Sequence, residues 1–265
     1  MAHDIPDRSN DRQFVTSLAR GLTLLAAFGP DDRSLTNQML ADRTALPRPT
    51  VARLAHTLVQ LNYLVHHKAL GRYSLSPRLV ALGQAAHHAT GLRDIARPAI
   101  AALSEIGDIS VALGTPDDGT IKYVDLARRP EAIVLNLNVG AQVPIAQTAI
   151  GRAYLGWLQP EVRGALIERL SAQDPSLWAQ HARAIDHAAE DLRTLGYVSA
   201  FGDWFPELNA IATVIRIADG AEPLLISVSG LSSILTPARA ASYFAPALLN
   251  TARNIEARMR SLPHA

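Results

Sequence analysis

The segment from Thr36 to Ser76 constrains this chain more than any other. It opens as Thr36-Asn37-Gln38-Met39-Leu40-Ala41-Asp42-Arg43-Thr44-Ala45, turns at Leu46-Pro47-Arg48-Pro49, and continues as Thr50-Val51-Ala52-Arg53-Leu54-Ala55-His56-Thr57-Leu58. Ser34 or Thr36 can cap the first of these helices, whose buried face would be Met39 and Leu40. Proline is tolerated at a first helical position, so the second helix starts near Pro49. Val51, Leu54, Leu58 and Leu61 make its inward stripe, and Thr50, Arg53, Thr57 and Gln60 follow the opposite face. Asn62-Tyr63-Leu64-Val65 and Tyr73-Ser74-Leu75 read as two short strands joined by Ala69-Leu70-Gly71. Short helix, tight turn, second helix and small basic hairpin is the order of a helix-turn-helix with a wing.

Charge is distributed in keeping with that pattern. Residues 14–83 hold 8 Lys+Arg against 3 Asp+Glu, a net +5, whereas residues 84–265 hold 15 against 18, a net −3. A basic N-terminal unit on a mildly acidic larger one points to a polyanion partner for the first unit alone. The chain has 265 residues, 48% of them hydrophobic, enough for two modest domains with real cores. It contains no cysteine, which excludes disulfides and thiolate metal sites and fits a reducing cytoplasm. The polar start Met1-Ala2-His3-Asp4-Ile5-Pro6-Asp7-Arg8 carries no apolar signal core, and no apolar run is long enough to cross a bilayer, so no membrane partner is expected.

Residues 1–13 alternate acidic and basic side chains and read as a frayed tail. Phe14 to Phe28 carries apolar residues at Val15, Leu18, Leu22, Leu25 and Phe28 with a helical period, ended by Gly29-Pro30-Asp31-Asp32. The winged helix-turn-helix therefore spans residues 14–76. An amphipathic helix from about Pro77 to His87, with Leu79, Val80, Leu82 and Ala85 apolar, makes residues 77–90 a linker whose stripe can pair with a second copy. Beyond Thr90-Gly91 a helix over Ile95–Leu103 precedes β-branched runs at Ile109–Leu113, Ile121–Val124 and Ala132–Leu137, with Asp117-Asp118-Gly119 a strong hairpin turn between the first two. Helices are expected near Thr148–Leu158, Glu161–Leu170 and Trp178–Leu195. Strands are expected at Ile211–Ile217 and Pro223–Val228, linked through Asp219-Gly220, and a long helix from Thr236 to Leu262. Antiparallel strands flanked by helices make residues 91–265 an α+β domain.

Taken together, these pieces resemble the isocitrate-lyase-regulator (IclR) family of bacterial transcription factors. The resemblance is carried by Ser17-Leu18-Ala19-Arg20-Gly21-Leu22-Thr23-Leu24-Leu25, by Leu46-Pro47-Arg48-Pro49-Thr50-Val51-Ala52-Arg53-Leu54, and by Asn62-Tyr63-Leu64 with Tyr73-Ser74-Leu75-Ser76-Pro77-Arg78-Leu79. Pro144-Ile145-Ala146-Gln147-Thr148-Ala149-Ile150-Gly151-Arg152-Ala153 and Ile226-Ser227-Val228-Ser229-Gly230 extend it into the second half. It implies a winged helix-turn-helix joined by a linker helix to a GAF-like effector-binding domain, assembled as a dimer or a dimer of dimers. It also implies double-stranded operator DNA and a small organic metabolite as partners. The chain departs from the family at Glu207-Leu208-Asn209-Ala210, where a Gly-Val/Leu step is common. It departs again at Ala200, where some relatives place a ligand-touching carboxylate; Asp203 or Ser199 would have to substitute.

The candidate DNA-reading residues are Arg48, Pro49, Thr50, Arg53 and Thr57 at the start and outer face of the second helix of the motif, since such a helix enters the major groove by its N-terminal turn. Arginine there can donate two hydrogen bonds to guanine. His67, Lys68 and Arg72 on the wing suit phosphate, as do Arg20 and Arg43. His56, His66 and His67 read as surface residues rather than metal ligands. On the strand near Leu224–Ser229, Leu224, Ile226 and Val228 share one face and Leu225, Ser227 and Ser229 the other. Buried hydroxyls need partners, and a small carboxylate or carbonyl would supply them; the resemblance assigns effector contact to Ser227 and Ser229. Thr148, Ala149 and Ile150 open a helix whose N–H groups favour an anion. Asp203 can accept from a ligand hydroxyl or cap a turn, and Trp204 and Phe205 can form a wall or lid. An enzyme is disfavoured: the chain has no Gly-x-Ser-x-Gly elbow, no phosphate loop and no His-Glu-x-x-His, and His181 and His187 are poorly spaced as ligands. No cofactor is expected beyond an unidentified effector. The alternative to DNA binding is a ligand-sensing scaffold that docks a protein through its winged helix.

Overall fold

The computed structural model describes residues 13–29, 32–89, 92–129, 137–217 and 222–261. The expected tail (but for Gln13), the strand at Ala132–Leu137 (but for Leu137) and the Asp219-Gly220 link lie outside the described residues. Two compact units divide between His87 and His88.

The first unit runs α1 (Thr16–Ala26), β1 (Leu35–Thr36), α2 (Asn37–Thr44), α3 (Arg48–Gln60), β2 (Leu64–His67), β3 (Arg72–Leu75) and α4 (Arg78–Ala89). Thr36 caps α2, its hydroxyl accepting from the Met39 N–H at 3.2 Å. Ala45 closes the helix in the left-handed region at φ 53°, and Pro47 precedes α3, so α2 stops and α3 starts within three residues. Leu24, Leu35, Leu40, Val51, Ala55, Leu58 and Leu64 fill the core. The inward stripe of α3 thus includes Ala55, whereas Leu61, expected inside, is exposed beyond the helix end. The apolar period of α1 is real, but Val15, Leu18 and Leu22 face outward and Leu24 is the fully buried residue. The wing gains a third strand: β1 pairs with β3, giving the order β1-β3-β2. Its tip is a single 3₁₀ turn, Lys68–Leu70, closed by Gly71 at φ 59°.

The second unit begins with a π-helical turn (Leu92–Ala96) and α5 (Arg97–Ser104). It continues as β4 (Ser110–Asp117), β5 (Thr120–Arg128), β6 (Gln142–Pro144), α6 (Ala149–Trp157), α7 (Pro160–Ser171), α8 (Pro175–Thr194), β7 (Val198–Phe201), β8 (Leu208–Ile215) and β9 (Leu224–Leu231). A short α9 (Pro237–Arg239), a π-helical turn (Ala240–Phe244) and α10 (Ala245–Arg260) form the expected long final helix in three pieces. The strands make one six-stranded antiparallel sheet, order β6-β5-β4-β9-β8-β7. Asp118 and Gly119 both have positive φ, which lets a two-residue turn join β4 to β5.

Both faces of the sheet are covered. Ile226 and Val228 pack with α5, Phe244 and α10 on one side; Ala112, Tyr123, Ala212 and Leu225 pack under α6 and α8 on the other. Helix α6 lies very close to the chain that precedes it. A Cβ on Gly151 would penetrate the backbone of Ile145, and one on Gly156 would stand 2.6 Å from the Ala188 carbonyl oxygen. No helix among the described residues is long and apolar enough to cross a membrane. Because Trp157, Trp178 and Trp204 all lie in the second unit, tryptophan fluorescence reports its unfolding alone. Gly151→Ala is expected to lower its stability in a urea titration by about 1–3 kcal/mol, the range for forced overpacking. An unchanged midpoint would mean that α6 does not sit this close to Ile145.

Candidate functional site

The candidate DNA-binding cations of the first unit fall into two sets. Arg20, Arg48, Arg53 and Lys68 are exposed and have no hydrogen-bond or ion-pair partner among the described residues. Arg43 and Arg72, expected on phosphate, are engaged inside the unit. The Arg43 guanidinium pairs with Asp32 and donates to the Ala27 carbonyl at 2.9 Å, tying α2 to the end of α1. Its proximity holds the Asp32 carboxyl below the usual carboxylate range. Arg72 donates through Nε to Ser34 Oγ at 2.8 Å and through Nη2 to the Ser34 carbonyl at 2.7 Å, so the wing is tied to the strand before α2. Ser34 therefore anchors Arg72 and leaves the α2 cap to Thr36. On α3, Arg48, Pro49, Arg53 and Thr57 are exposed and Thr50 is half-buried. The Thr57 hydroxyl donates back to the Arg53 carbonyl at 3.1 Å, which leaves it only acceptor capacity toward an external group. On the wing, His66 stacks on Tyr73 and His67 pairs with Ser74 Oγ at 2.9 Å.

In the second unit a concavity of about 560 Å³, part of it open to solvent, lies between the sheet and the N-terminus of α6. That is a size suited to a small molecule. The sheet register builds its floor. Ala200 on β7 pairs with Ala210 on β8, Ala210 with Ser229 on β9, and Ser229 with Ser110 on β4, a transverse row of small side chains. Small residues on four neighbouring strands leave the space that the concavity occupies. Thr148, Ala149 and Ile150 border it from α6, Trp204 from the β7–β8 loop, and Leu126, Leu137 and Leu208 add apolar walls. Thr148 caps α6 by accepting from the Gly151 N–H at 3.2 Å, and its own hydroxyl donates to the Pro144 carbonyl at 2.6 Å. The Ala149 and Ile150 N–H groups have no acceptor among the described residues and stand at the positive end of the helix. Ser227 and Tyr123 are both buried beside the cavity; burial pushes the Tyr123 phenol up to about 12, so it stays protonated. None of the lining side chains is charged.

Asp203, expected in contact with ligand, is not among the residues that line this cavity. Its Oδ2 accepts from Arg152 Nη1 at 2.7 Å. Arg152 is 1% exposed and donates also to the Ala146 and Ser199 carbonyls at 2.8 and 3.3 Å. Its Nη2 lies 3.2 Å from His181 Nδ1, and because arginine only donates, that ring nitrogen is the unprotonated one. One guanidinium thus joins the α6 entry loop, β7, the β7–β8 loop and α8. The signal for it was in the sequence: Ala149–Trp157 is apolar around its whole circumference except at Arg152, so the charge had to be buried and paired. Trp204 lines the cavity, and Phe205 packs against it with ring centroids 4.7 Å apart. Among the described residues there is no group of three or more His, Cys, Asp or Glu that could hold a metal.

Residues 17–68 match the model of the IclR helix-turn-helix domain, and residues 84–257 match that of the bacterial transcriptional regulator IclR C-terminal domain. The chain belongs to the IclR family. An HTH-type transcriptional regulator of Comamonas testosteroni, TsaQ1/TsaQ2, is 30% identical over 249 residues, covering 93% of this chain and 89% of the relative. The crystal structure of an IclR family transcriptional regulator from Brucella abortus superposes with a TM-score of 0.82 at 30% identity, over 97% of both chains. An IclR homologue from Microbacterium hydrocarbonoxydans, crystallised with 4-hydroxybenzoate, shares the fold at a TM-score of 0.74 and 22% identity, over 92% of this chain and 99% of its own. This IclR chain is accordingly a transcriptional regulator with a DNA-binding helix-turn-helix and a GAF-like C-terminal domain.

Burial, and then the Arg152 cation, hold the His181 imidazole below its ordinary 6.5, against a smaller opposite pull from Asp203. The folded regulator keeps the ring neutral while the unfolded chain protonates it near 6.5, so this contribution to stability is present above that value and is lost as pH falls through the lower folded-state value. Tryptophan-detected urea midpoints should therefore fall more steeply from about pH 7.5 to about pH 5 in the wild type than in His181→Gln. Parallel slopes would show that the ring is not held neutral by burial beside Arg152.

Proposed function

We propose that this IclR regulator reads operator DNA with α3 and that a small, largely apolar metabolite bearing one carboxylate or carbonyl controls it from the cavity under α6. The observation that carries the effector half is the cavity's chemistry: no charged side chain, apolar walls, and two unpartnered N–H groups at a helix start opposite Ser227 and Ser229. A single carboxylate there gains the helix-terminal donors without having to displace an existing ion pair. The ligand class rests on this lining; the 4-hydroxybenzoate complex of the distant homologue speaks for a shared fold. In the head, α3 enters the major groove with Arg48 and Arg53 on base edges, while Lys68 and Arg20 hold phosphate and Arg43 and Arg72 brace the head. Two copies pair through the outward stripe of Leu18 and Leu22 on α1, continued by Val15 at its N-cap, and through α4, where Val80 and Leu82 are exposed; all are uncovered in the single chain. Ligand-induced change in that pairing, worth about 1–3 kcal/mol, would alter operator affinity about 5–150-fold.

Mobility shift with the DNA upstream of the regulator's own gene tests the DNA half. Lys68→Ala is expected to reduce the slope of log affinity against log salt by about 0.9, one phosphate contact, whereas a Lys68 that meets only a protein partner would leave it unchanged. Thermal-shift screening against small aromatic and aliphatic acids tests the effector half. A hit at 100 times its Kd adds about 2.7 kcal/mol to the native state, and Ser229→Ala is expected to abolish the shift while leaving the unliganded melting temperature in place. Binding that survives both Ser229→Ala and Ser227→Ala would place the ligand elsewhere.

A further inference from the structure

We propose that His56 is a base-reading residue of this regulator, selecting guanine at the position next to the one read by Arg53. The inference rests on α3 entering the major groove, as described above. His56 is exposed and has no hydrogen-bond or ring partner among the described residues. In this it differs from the other two head histidines, which are held by Tyr73 and Ser74. It lies three residues after Arg53 and seven after Pro49, on the exposed face of α3, with Gln60 four residues further on that face. The opposite face, Val51, Ala55 and Leu58, is in the core, so α3 cannot turn to present anything else outward.

The neighbouring groups narrow the choice of what His56 can meet. Thr57 donates its proton to the Arg53 carbonyl, so it is no donor toward an acceptor on DNA. Arg43 and Arg72 are engaged within the head. Beyond Arg53, the next unengaged donor along the exposed face is therefore the imidazole N–H of His56. Three helical residues advance about 4.5 Å along the axis, a little more than one base-pair step of about 3.4 Å. A single N–H donor seeks an acceptor, and guanine presents two side by side, O6 and N7, on its major-groove edge. Cytosine offers a donor there, which meets no acceptor if the facing ring nitrogen carries the proton.

The test is selection from a random double-stranded DNA library with the full-length wild type, His56→Ala, His56→Gln and Arg53→Ala. The wild type should select half-sites with a guanine one step from the position whose preference Arg53→Ala abolishes. His56→Ala should reduce discrimination at that guanine about 2- to 12-fold, the range for one hydrogen bond, with the other positions, non-specific affinity and the salt slope unchanged. His56→Gln should shift the preference to adenine, whose N6 and N7 match a carboxamide, an outcome that a merely structural side chain would not produce. An unaltered preference in both His56 variants would overturn the proposal, and so would an equal loss of affinity for all sequences, the signature of a phosphate contact. A wild type that enriches no sequence would instead remove the DNA-reading role of α3, and with it this proposal.

Discussion

A guanidinium that is almost wholly out of water organises the C-terminal domain. Arg152 cannot be neutralised, so its charge must be met by oxygen atoms brought to it. The Ala146 and Ser199 carbonyls and the Asp203 carboxylate come from three separate segments, and each is held in place by being needed. Gly151 lets α6 lie against Ile145, and Arg152, the next residue, then reaches across to β7 and α8. The start of α6 and the loop bearing Trp204 are positioned by the same group. The cavity between them is thus framed by a charged network while containing no charge itself. That separation lets the frame be rigid and the lining neutral.

The DNA-binding head solves the opposite problem with the same residue type. Its surface must carry unpaired cations, yet a unit this small needs braces as well. Arg43 and Arg72 are the braces: one links α2 to the end of α1, the other links the wing to Ser34. With two of the six candidate cations engaged as braces, Arg20, Arg48, Arg53 and Lys68 remain as candidates for DNA. These sit on three elements, α1, α3 and the wing, whose mutual placement the braces help to fix.

Much of this was legible in the sequence, and the failures have physical causes. The helix-turn-helix, the wing hairpin, the two-residue turn at Asp118-Gly119, the facing of Ser227 and Ser229, and the long helices followed from periodicity and turn chemistry. Strands β1 and β6 have two and three residues, too few to show a period, and β7 has four. The stripe on α1 was visible as a stripe, but periodicity states that a helix has an apolar face and not whether its own chain covers it. Side-chain chemistry was legible only halfway. An arginine's charge calls for an anion or a carbonyl, but whether that is phosphate, Asp32 or Ser34 depends on three-dimensional neighbours. Asp203 shows the same limit: a carboxylate beside a pocket was identified, but the buried arginine that it pairs with was not. The floor of the cavity was the least legible element, since alanines at positions 200 and 210 announce nothing until the register aligns them with Ser229 and Ser110.

The small number of candidate cations without a partner among the described residues bears on how the regulator would reach useful affinity. If those four side chains each met DNA, one head would give a salt slope of at most about −3.6, the regime of weak and salt-labile binding. Two heads on one duplex double the contacts, and the second set binds at the effective concentration imposed by the first. Such a gain depends on the distance between heads, and it is lost when geometry forbids both from engaging. An effector that alters the spacing by a small amount would thereby change operator affinity without touching a single DNA-reading residue. On the proposed reading, the neutral, framed cavity and the lightly charged head belong to one design: neither would have to be strong alone, because the geometry joining two copies would carry the control.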